Sequence, residues 1–82
     1  MENLKGTVSK KDGLIVLYEG KKPIAEFILT GEDDEWFSAK LGGKHFNFNY
    51  YQGLLGMYSA QKLDKNTYQT DEFIDQVNLE EC

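Results

Sequence analysis

His45 is the one histidine and Cys82 the one cysteine of the chain. Nucleophilic catalysis needs a nucleophile with a base in hydrogen-bond reach. A hairpin turning at Gly42-Gly43 sets His45 opposite Lys40, and Cys82 stands at the last position with no base near it in sequence. Four consecutive carboxylates, Glu32, Asp33, Asp34 and Glu35, are the candidate acid–base group. Acid–base work requires an environment that raises one carboxyl pKa above another, and a solvated turn supplies none. Asp64, Asn66, Tyr68 and Asp75 fall at calcium-loop spacing, but Gln69 stands where that loop needs glycine and Asp75 where it needs glutamate. Gly42-Gly43-Lys44 lacks the rest of a phosphate loop. The expectation is a protein that is not an enzyme, with no catalytic residues, no metal ligands and no cofactor.

The types left over suit contact rather than chemistry. The chain has 14 acidic and 9 basic residues and a net charge of -5, and every basic residue is a lysine. Arginine makes the bidentate contacts to phosphate and guanine, so its absence disfavours direct nucleic-acid binding. The charge is uneven. Residues 1–31 carry five lysines and four acids, whereas residues 32–82 carry four lysines and ten acids. Clustered charge of this kind steers encounter with a basic partner.

Those residues must be positioned by a single small domain, residues 1–82, because the length allows one core. A lone cysteine excludes a disulfide framework, and with no apolar run of membrane length or leader-like N-terminal stretch it points to a cytoplasmic protein away from membranes. Asp12-Gly13 predicts a two-residue hairpin turn in which Val8 faces Leu17. Pro23 fits a strand start or an edge, and Ala25, Phe27 and Leu29 share one face of the next strand. Gly42-Gly43 predicts a second hairpin, pairing Leu41 with Lys44, Ala39 with Phe46 and Phe37 with Phe48. The other face then pairs Lys40 with His45, Ser38 with Asn47 and Trp36 with Asn49.

After Asn49 the apolar period changes. Tyr51, Leu54, Leu55 and Tyr58 recur at helical spacing behind a capping box formed by Asn49 and Gln52. Thr70 with Asp71 and Glu72 resembles the start of a second, short helix carrying Phe73, Ile74 and Val77. The predicted fold is therefore α+β, an antiparallel meander of four or five strands followed by one helix and a short C-terminal helix. Its expected core is Phe27, Leu29, Phe37, Phe46, Phe48, Leu54 and Leu55.

On this reading Trp36 is an outward anchor beside Asn47 and Asn49, unless the C-terminal helix covers it. The acids Glu32, Asp33, Asp34, Glu35, Asp71, Glu72 and Asp75 complete the candidate partner-binding set. The expected function is a non-catalytic protein-binding module. Its concrete form is a small acidic inhibitor or adaptor, of the phage or mobile-element type, that engages a basic surface of a larger nucleic-acid-handling protein as a partial nucleic-acid mimic. The alternative is a structural or assembly subunit that forms a homodimer through a sheet edge or through a helix face containing Gly53 and Gly56.

Overall fold

The structure, a computed structural model, describes residues 4–31 and 34–81. Among these residues there is no helix. Seven strands follow in order: β1 (Leu4–Ser9), β2 (Leu14–Glu19), β3 (Lys22–Ile28), β4 (Asp34–Leu41), β5 (Lys44–Tyr51), β6 (Leu54–Lys62) and β7 (Tyr68–Glu81). They form one sheet in the order β3-β2-β1-β7-β6-β5-β4. Neighbours are antiparallel except β1 and β7, which run parallel with Gly6 against Leu79 and Val8 against Glu81. Two meanders, β1–β3 and β4–β7, are thus joined through the first and last strands. The sheet curls until its two end strands approach, and Phe27 of β3 stacks on Phe37 of β4 at 5.0 Å. This contact makes the sheet a nearly closed barrel, its seam bridged by aromatic rings.

The expected α+β class is therefore wrong, and the reason is local. Leu54, Leu55 and Tyr58 lie in a strand, because Gln52 and Gly53 both adopt positive φ (50° and 80°). That pair makes a type I′ hairpin turn, so Tyr51 and Leu54 are cross-strand partners rather than neighbouring turns of a helix. Spacing of three, four and seven residues arises equally from two strands with a two-residue turn between them. The segment expected as the C-terminal helix is the middle of β7. Its period of two is hidden by two irregularities. Ile74 is an extra residue between the Tyr58–Phe73 and Met57–Asp75 pairs, and Ser59 faces both Asp71 and Glu72. Bulges of this kind bend a strand and break its alternation. The helix face proposed to carry a homodimer does not exist: Gly53 sits in the turn and Gly56 within β6.

Both glycines of the 42–43 turn take positive φ (58° and 84°), and every expected pair from Trp36–Asn49 to Leu41–Lys44 is found. The first hairpin is shifted by two. Val8 faces Ile15, not Leu17, because Asp12 does not adopt positive φ and residues 10–13 form a longer loop. Ser9 Oγ holds that loop by donating to Asp12 Oδ2 at 3.2 Å and accepting from Asp12 N at 3.3 Å. A shift of two keeps each side chain on its face, so the core is unharmed. Pro23 lies in the end strand β3, where no further ladder needs its missing N–H.

The core fills the barrel. Val8, Ile15 and Leu17 come from the first meander and Phe46, Phe48, Tyr50, Leu55, Met57 and Val77 from the second, with Phe27 and Leu41 closing the ends. Of the expected core, Phe27, Phe46, Phe48 and Leu55 are buried, Leu29 and Phe37 pack against the cluster partly buried, and Leu54 is outside it.

Candidate interaction surface

The outer face of β4–β7 is built by the same alternation that fills the core. Residues between the buried Phe46, Phe48 and Tyr50 of β5 must face outward, and register carries them across four strands. One row runs Trp36, Asn49, Gly56, Gln76, and the next Ser38, Asn47, Tyr58, Phe73. Trp36 packs on Tyr58 with ring centroids at 5.3 Å, and Tyr58 meets Phe73 edge-on at 5.4 Å. Yet Trp36 remains 53% exposed and Phe73 57%. No C-terminal helix covers them. Tyr51 is also exposed on this side of the sheet.

Polar side chains between the rings are fixed by one another. Asn47, only 9% exposed, accepts from Ser38 Oγ at 2.8 Å and donates from Nδ2 to Thr70 Oγ1 at 2.8 Å. Asn49 Nδ2 donates to Asp34 Oδ1 and to the Glu35 carbonyl oxygen. Gly56 owes its identity to space, since its φ is not positive. A Cβ there would lie 3.1 Å from Tyr58 Cε1, so the ring leans over the glycine. Beside it a notch of about 170 Å³ opens between Tyr51, Leu54, Tyr58 and Phe73, with Asn49 and Gln76 as its polar lining.

The expected site residues divide. Asp34 is exposed at the start of β4, and Asp71, Glu72 and Asp75 are exposed along β7 on either side of Phe73. The strand backbone there is tied down, with Glu72 N donating to Ser59 Oγ at 2.9 Å. Glu35 departs from the solvated turn expected of it. It is buried on the inner face, where its Oε1 accepts from Thr30 N at 2.8 Å and from Thr30 Oγ1. Its carboxylate braces the connection from β3 to β4 and is not part of the surface. Asn47 is likewise a brace rather than a contact group. Glu32, Asp33 and Cys82 lie outside the described residues. Tyr58 and Phe73, which carry the surface beside Trp36, were hidden in the sequence by the two mistaken helices.

At the end opposite Asp34, Lys22, Lys40 and Lys44 line one cleft, and Lys44 and Lys62 flank His45 and Tyr68 in another. His45 stacks on Tyr68 at 4.0 Å. Lys10 and Lys11 sit at the other end, beside the Gln52-Gly53 turn. Lys10 pairs with Glu81 at 2.9 Å on the rim of an open cleft of about 960 Å³. The Glu81 hydrogen bond, and then its charge, raise the Lys10 pKa. Asp64 is held below the ordinary aspartate range by the N–H of Asn66 and the Thr67 side chain. It caps a turn, and Asp75, twelfth in the calcium-loop spacing, lies within β7. No cluster of three or more His, Cys, Asp or Glu able to hold a metal occurs among the described residues.

No family model, curated protein or solved structure matches this chain. Among the described residues no helix is long and apolar enough to cross a membrane.

Proposed function

We propose that this chain is a non-catalytic protein-binding module, a small cytoplasmic acidic adaptor or inhibitor that docks the outer face of β4–β7 on a basic surface of a larger protein. The observation that carries the reading is the ring series Trp36–Tyr58–Phe73, half-exposed at Trp36 and Phe73, with Asp34 exposed at the start of β4 and Asp71, Glu72 and Asp75 exposed along β7 beside Phe73. A barrel that already fills its interior does not need large rings outside. Rigid aromatic anchors with a polar rim are the composition of binding hot spots, and acids around them favour lysine- or arginine-rich partners. Proteins that handle nucleic acids carry such surfaces, because they must neutralise phosphate.

The test uses three baits at matched concentration: the natural chain, a Trp36→Ala/Phe73→Ala variant, and an Asp34→Lys/Asp71→Lys/Asp75→Lys variant. The natural chain captures basic proteins, and retention falls as salt rises. Both variants lose the same partner. Capture unchanged by both substitution sets overturns the reading.

The second reading is a homodimer through a sheet edge. Its support is that the parallel ladder to β1 covers only residues 79–81 of β7, so residues 68–78 pair with β6 alone among the described residues. The bulges and acids of that edge are features that oppose strand pairing. Light scattering that shows a dimer independent of dilution decides for it.

A further inference from the structure

We infer that the notch beside Gly56 receives an arginine side chain of the partner. The inference rests on the reading of the β4–β7 face as a docking surface, and names the group that surface selects. The notch measures about 170 Å³, and a water occupies about 30 Å³, so it has room for one long side chain. Its walls include the rings of Tyr51, Tyr58 and Phe73, and Gly56 leaves its floor without a side chain. Trp36 backs Tyr58 from the other side, so the ring is held in place before anything binds.

The polar lining fits a cation. Asn49 uses its amide nitrogen on Asp34 and the Glu35 carbonyl, which leaves its side-chain oxygen as an acceptor. Asp34 brings a full negative charge to a lining residue by that hydrogen bond. On the other flank Gln76 lines the notch with a second side-chain amide. The lysines Lys22, Lys40, Lys44 and Lys62 line clefts at the opposite end of the barrel, while at the near end Lys10 is paired with Glu81 and Lys11 lines the neighbouring cleft. A cation over aromatic faces gains from the ring quadrupoles. Between the two basic side chains, the planar guanidinium stacks on rings and donates in two directions, whereas an ammonium is a strongly hydrated point charge.

The experiment titrates isotope-labelled protein with acetyl-Gly-Arg-Gly-amide and follows backbone amide shifts. The neutral isostere with citrulline and the apolar tripeptide with norleucine serve as controls. The arginine peptide is expected to shift Gly56, Tyr58 and Phe73 and to bind about two- to fivefold more tightly than the citrulline peptide. Asp34→Asn should erase most of that difference. Gly56→Ala should weaken all three peptides, and its ordinary φ lets the fold persist, as its own spectrum verifies. Equal binding of arginine and citrulline overturns the inference, as do shifts confined to other parts of the barrel. Preference for norleucine also overturns it, while leaving the docking reading intact. Arginine binding at the notch with partner capture indifferent to Trp36 and Phe73 leaves the notch and overturns the docking reading.

Discussion

The two meanders solve the same problem on their inner faces and diverge on their outer ones. Val8, Ile15 and Leu17 in the first and Phe48, Leu55 and Met57 in the second are all within 2% of complete burial. Outside, β1–β3 presents Lys5, Thr7, Val16 and Glu26 together with Leu14, Tyr18 and the exposed Ile28, apolar residues with no second aromatic ring beside Tyr18 in the same rows. The outer face of β4–β7 presents Trp36, Tyr58 and Phe73, braced by an asparagine network. One barrel built from two similar meanders needs only one kind of outer face to fold. The aromatic face is therefore the part of the second meander that folding does not explain.

The comparison breaks most sharply at its two extremes. Phe48→Ala removes a fully buried ring that packs on Phe27 at 5.2 Å, and is expected to cost about 3–5 kcal/mol, a large share of a small domain's stability. Trp36→Ala should cost about 1 kcal/mol or less. Urea denaturation of both variants measures this. Equal losses would mean that Trp36 is structural and that the outer face serves the fold.

The junction of the meanders comes next. At Gly6 a Cβ would meet Leu79 Cδ2, with Val77 Cγ1 at 3.4 Å. Gly6→Ala should thus lower stability by about 1–3 kcal/mol through overpacking. A neutral result would show that β1 and β7 have slack between them. Asn47→Ala strips partners from Ser38 and Thr70 and should cost about 1–2 kcal/mol. It should also weaken partner capture if the network pre-orders the rings, whereas Thr7→Ala on the plain outer face should leave capture unchanged.

The smallest effect is electrostatic and lies away from both faces. Asp64 has a depressed pKa in the fold, so its contribution is present above the unfolded aspartate value of about 3.9 and is lost as pH falls through the lower folded value. A carbon-detected titration should find Asp64 still largely ionised at the unfolded aspartate value of about 3.9. Thr67→Val should move its midpoint toward that value.

What could be read from the residues depended on how each turn announces itself. Gly42-Gly43 offers positive φ at both positions, and the arms beside it alternate without interruption, so the register from Trp36 to Asn49 was legible in full. That register already set Trp36 outward beside Asn49. Asp12-Gly13 looks like the same signal, but the Ser9–Asp12 hydrogen bonds favour a longer loop. The Gln52-Gly53 turn gives little warning, because glutamine seldom takes positive φ. In β7 two bulges erase the alternation by which a strand is recognised, and Thr70-Asp71-Glu72 imitates a helix start. Tyr58 and Phe73 were lost with those two errors. Glu35 is hidden for a different reason: no local pattern in a run of carboxylates tells that this one turns inward to Thr30.

The parallel pairing of β1 with β7 also sets an order of assembly. Every other ladder joins strands adjacent in sequence, so each meander can zip from its own turns with short loops to close. The Gly6–Leu79 ladder joins residues almost a full chain apart, and closing a longer loop costs more entropy before any contact repays it. The barrel should therefore form late, as two preformed halves clasped at that ladder. The half that bears the aromatic face can shape it before the clasp shuts.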